Sequence, residues 1–100
     1  MSILIGALEF DGPCDDIDLL SDTSGIYAVL SENNGEFELV DMGESEYVRE
    51  SLQEHADRQQ WQDEGLIITF AVHYTSDLSA QERREIKEAL DREFSDPVAA

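Results

Sequence analysis

Asp11, Asp15, Asp16 and Asp18 crowd carboxylates into one short stretch and could gather a cation. They lack the glycine and the closing glutamate that an EF-hand loop needs, so the spacing favours a plain acidic loop over a calcium site. Cys14 lies among them with no basic neighbour in sequence to stabilise a thiolate, and nothing marks it as a nucleophile. As the only cysteine it excludes an intramolecular disulfide and cannot by itself build a Cys-rich zinc site. Tyr27, between Ile26 and Ala28, has the ordinary setting of half-buried sheet packing. His55 falls on an apolar stripe, where the plain role is a core-edge imidazole with one satisfied hydrogen bond. Glu85 and Glu88 sit on a helical segment crowded with charge, where solvation or ion pairing is the default, Glu88 lying four residues from both Arg84 and Arg92. Tyr47 and Trp61 are large enough to anchor a partner, with core packing as the simpler role.

The charge surrounding these residues is one-sided. Asp and Glu number 24 against 6 Lys and Arg, a formal net charge of -18, and Lys87 is the only lysine. Two explanations fit. Salt-adapted proteins favour carboxylates over lysine, and at molar salt the screening length shrinks to about 3 Å, so self-repulsion fades. Alternatively the acidic surface repels nucleic acid or imitates it, duplex DNA being itself a dense anionic rod. A hydrophobic fraction of 41% supports a folded interior in either case. One hundred residues suit one domain, 1–100, and no apolar run approaches the roughly 20 residues that cross a bilayer. The opening residues lack a basic flank, so the expectation is a reducing cytoplasm and no membrane.

The elements that must position any site follow from pattern. Ile3 to Phe10 is β-prone and is broken by Asp11-Gly12-Pro13, and the acidic connection to Ser24 has room for a short helical turn at Leu19 and Leu20. Gly25–Leu30 and Glu36–Val40 flank Asn33-Asn34-Gly35, residues tolerant of positive φ, which predicts a hairpin. In its second strand Phe37 and Leu39 should be buried and Glu36 and Glu38 wet. From Ser45 to about Gln62 the stripe Val48, Leu52, Ala56 predicts one amphipathic helix, ended by Gly65. The apolar run 66–74 reads as a central strand covered on both faces. Ser79 and Glu82 form a capping box that starts a last helix with the stripe Ile86, Leu90, Phe94, stopped by Pro97. The fold class is therefore α+β: a small antiparallel sheet, made of a hairpin and a central strand with room for an extra N-terminal strand, flanked by two main helices.

Over residues 12–97 this order resembles the GIY-YIG nuclease family. The likeness is carried by SGIYAVL and by VDMGESEYVRESLQEH, the second similar to the family's YIG strand end, small polar turn and helix ending in histidine. The resemblance implies a shallow site that cuts a phosphodiester with one divalent metal ion. It places the first motif tyrosine on Tyr27, the second motif's glycine on Gly43 and the helix histidine on His55. The second tyrosine falls on Asp41, and the helix arginine, eight residues beyond Gly43, falls on Ser51. Glu85 and Glu88 are the candidates for the family's metal-binding glutamate, and the family's asparagine beyond that helix has no counterpart.

These departures fall on the charge that phosphoryl transfer depends on, where one positioned arginine is worth about 10³ to 10⁵ in rate. Ser51 offers no charge. Arg49, two positions away, is rotated by about 200° on a helix and is a poor substitute. The expectation is a GIY-YIG-like domain that has lost nuclease activity and acts by binding a protein partner or itself, with no cofactor and little affinity for nucleic acid. Two other readings compete with it. One is an active, Mg- or Mn-dependent endonuclease of a high-salt cytoplasm, rebuilt around Asp41 and the last-helix glutamates; the other is an acidic DNA mimic.

Overall fold

The computed structural model describes residues 2–6, 8–55 and 58–95. Five strands, β1 (Ser2–Ile5), β2 (Leu8–Cys14), β3 (Gly25–Asn33), β4 (Glu36–Ser45) and β5 (Ile68–Tyr74), pair antiparallel in the order β1-β2-β5-β3-β4. Three helices, α1 (Val48–Gln53), α2 (Arg58–Asp63) and α3 (Ala80–Ser95), pack on the sheet, and a 3₁₀ turn covers Ile17–Leu19. The α+β class predicted from pattern is the class observed.

The apolar run of β5 lies at the middle of the sheet with a core on each side. Phe70 and Val72 join Val29, Val48, Leu52 and Trp61 under α1 and α2. Ala71 faces the other way, into Phe10, Ile26, Ala28, Leu30 and Leu90 under α3. A strand buried on both faces needs no polar alternation, which explains its sequence.

The hairpin turns where the sequence requires it, with Asn34 at φ 54° and Gly35 at φ 84°, the pair of positive values a two-residue turn of this hand needs. Its second strand runs on past the predicted end to Ser45. Phe37 departs from the alternation, being 45% exposed, and stands at an opening it shares with Leu4 and Ile5 of β1. The capping box forms as predicted: Ser79 Oγ accepts from the Glu82 amide, and Glu82 accepts from the Ser79 amide.

Two further expectations need correction. The N-terminal apolar segment is two strands rather than one, folded at Gly6 with φ 64°. Gly12 and Pro13 do not break it but sit within β2, where a register shift between Asp11 and Cys14 absorbs them. The predicted helix from Ser45 to Gln62 is two short helices. Leu52 and Trp61 are nine residues apart, which on one straight helix would point them about 180° from each other. Both are buried in the same cluster, so the helix has to break between them. The Arg58 guanidinium holds the break by donating to the Gln53 carbonyl at 2.9 Å. Ala56, the Phe94 side chain and Pro97 lie outside the described residues.

Candidate functional site

Tyr27 faces α1 and α2, opposite Gly43 on β4. A methyl group on Gly43 would overlap the distal half of the phenol ring, so this glycine is what lets the tyrosine cross its neighbouring strand. Val29 pairs with Asp41 one step along the same face, and the break between α1 and α2 brings His55 back over it. His55 Nε2 and Asp41 Oδ2 are 2.6 Å apart. An ionised carboxylate only accepts, so Nε2 carries the proton of this bond. The imidazole meets Tyr27 edge to face at 6.2 Å and packs on Trp61 at 4.6 Å between ring centroids. Tyr27, Asp41 and His55, widely spaced in the chain, are thus neighbours.

The electrostatics of this group oppose an activated phenol. Burial pushes the Tyr27 hydroxyl above its ordinary pKa of 10.0, and the carboxylates of Asp41 and Glu44 push it further the same way. Ser51, where the motif resemblance implies an arginine, donates to Ser45 Oγ at 2.6 Å. Arg49 does not substitute for it, since its guanidinium reaches away to the Leu20 carbonyl at 3.4 Å.

On its outer side Tyr27 borders a cavity of about 410 Å³ between β4 and α3, shared with Gly43, Glu44, Arg84, Lys87, Glu88 and Asp91. Glu88 therefore reaches the tyrosine's cavity. Glu85 is not part of that lining and accepts from Gln81 at 3.4 Å. Beside the cavity Arg83 donates to Glu44 and Lys87 to Asp91, each at 2.5 Å, while Arg84 lines the cavity itself. Among the described residues no three His, Cys, Asp or Glu side chains are grouped as ligands for a metal ion.

Sequence reasoning assigned no place here to Glu44, Lys87 or Asp91 and missed the role of Trp61 beside His55. For Arg83 a signal existed, because it lies three residues before Ile86 on the stripe that α3 buries, and its side chain is only 7% exposed. Tyr47 is 55% exposed rather than packed in the core, while Trp61 is buried as expected. Burial raises the Cys14 thiol above its ordinary pKa of 9.0, and Asp15 and Asp16 add to that, against a hydrogen bond to the Asp16 carbonyl that lowers it. This agrees with its reading as an unreactive thiol.

No family model, curated protein or solved structure matches this chain. The resemblance to GIY-YIG nucleases rests on the two motifs alone. Among the described residues no helix is long and apolar enough to cross a membrane.

Proposed function

We infer that this chain is a GIY-YIG-like scaffold that has lost phosphodiester cleavage and acts by binding another protein. The observation that carries this reading is the environment of Tyr27, where burial, Asp41 and Glu44 all favour the neutral phenol. Activating a nucleophile through this oxygen asks for the opposite, a lowered pKa or a fixed cation beside it. Two substitutions act in the same direction. Asp41, at the place of a tyrosine, engages His55, and Ser51, at the place of an arginine, is turned to Ser45.

A second reading, an active metal-dependent endonuclease, draws on Arg84, Lys87 and Glu88 lining the Tyr27 cavity. The residues there fit a magnesium or manganese ion poorly. Glu44 and Asp91, the carboxylates that would join Glu88, are engaged by Arg83 and Lys87, and with them the lining carries three carboxylates to two cations. A DNA mimic is less favoured again: extents of 38 × 36 × 26 Å describe a disc, not a rod bearing a line of carboxylates.

Incubation with supercoiled plasmid and with branched DNA, with magnesium or manganese and from low to molar salt, tests the reading. The expected result is no nicking under any condition. Metal-dependent nicking abolished by Tyr27→Phe or Glu88→Gln would overturn it in favour of the nuclease.

A further inference from the structure

We propose that the cleft between the two edges of the sheet docks an extended, lysine- or arginine-rich segment of another protein, which places an apolar side chain in it. The proposal rests on the binding role inferred above and names the chemistry of the partner. β1 and β4 are opposite edges of the five-stranded sheet, yet the sheet curls so that both line one cavity of about 250 Å³. Leu4 and Ile5 of β1 face Leu30, Phe37 and Leu39 of the hairpin across it. Leu4 is 72% exposed and Phe37 45%, so two large apolar side chains stand in water beside the same opening.

Two features select the occupant. Both walls are edge strands, each with one side not bonded to another strand among the described residues, so an extended backbone can pair there. Edges are normally guarded by charge, and Ser2-Ile3-Leu4-Ile5 has none. Charge then selects the sign of the partner. Glu36 and Glu38 flank Phe37, Glu32 is its cross-strand partner, and all six Lys and Arg residues lie on helices, none on a strand. A second copy of this chain would bring another -18 of charge to the opening, whereas a basic segment is drawn to it.

Fluorescence anisotropy with three labelled heptapeptides, KVKVKVK, KSKSKSK and EVEVEVE, tests the proposal on the intact protein at low salt. KVKVKVK should bind about tenfold more tightly than KSKSKSK, and EVEVEVE should not bind. Leu4→Ser and Phe37→Ser should each erase the gap between the first two peptides. Both residues are exposed, so thermal melts should stay near the parent's. Equal binding of KVKVKVK and KSKSKSK would mean mere attraction of polycations and would overturn the proposal, as would an undiminished gap in both variants. Dimerisation of the parent through this edge, lost in Leu4→Ser, would assign the cleft to a second copy instead. Nicking by the protein would overturn the binding role whatever the peptides do; equal peptide binding without nicking would overturn only the docking site.

Discussion

The phenol ring of Tyr27 lies across the α-carbon of Gly43 on the adjacent strand, leaving room there for a hydrogen atom only. Gly43→Ala should therefore displace the ring or part the strands, costing about 1–3 kcal/mol in urea denaturation. In a Tyr27→Ala background the same change should cost less than about 1 kcal/mol, a coupling a double-mutant cycle would expose. Equal costs in the two backgrounds would show that the glycine serves something other than the tyrosine.

Arg83 is the buried cation of α3, and Glu44 is its counter-charge across the edge of the sheet. Glu44→Leu should cost about 3 kcal/mol, near the lower end of the usual range because Glu44 itself is 25% exposed. Adding Arg83→Met should restore stability to within about 1 kcal/mol of the parent, since the pair is then replaced by apolar contact. Thermal melts of the two single variants and the double variant check both figures.

His55 joins Asp41, Tyr27 and Trp61, so its loss should be felt in all three places. His55→Ala should destabilise the fold by about 1–3 kcal/mol through the lost hydrogen bond and ring contacts. It should also shift the emission of Trp61, the only tryptophan, before any unfolding. An unchanged spectrum would mean that the imidazole does not rest on the indole.

Net charge sets the response to salt. With a net charge of -18 the folded chain repels itself, and screening should relieve that. The thermal midpoint should rise steadily from low to about 1 M KCl, where the screening length is about 3 Å. A flat response would show that carboxylate repulsion does not limit stability.

Much of the architecture was legible because local signals agreed with the tertiary fold. Asn34 and Gly35 encode the turn, Ser79 and Glu82 start α3, and the apolar run to Tyr74 marks the centre of the sheet. What sequence could not show was decided by packing at a distance. The break between α1 and α2 exists because Leu52 and Trp61 share one core, which a periodicity centred on Val48, Leu52 and Ala56 does not reveal. Phe37 alternates like a buried residue but stands at the opening between β1 and the hairpin, which the curl of the sheet creates. The neighbourhood of Tyr27 was half legible. Motif spacing brought Asp41, His55 and Ser51 to notice, while Glu44, Arg83 and Lys87 reach it through strand register and helix placement.

The most direct test is the ionisation of Tyr27 itself. Subtracting the alkaline absorbance titration of Tyr27→Phe from that of the parent isolates this phenol, and its midpoint should lie above 10.0. Below the ordinary value folded and unfolded chains both keep the proton. As pH climbs through it the unfolded chain loses its proton first, so folding stability should fall until the folded phenol also ionises. Tyr27→Phe should lack that decline. A midpoint below 10.0, with stability from this residue rising toward alkaline pH, would mean that a cation governs the site and would contradict its reading as a disarmed one.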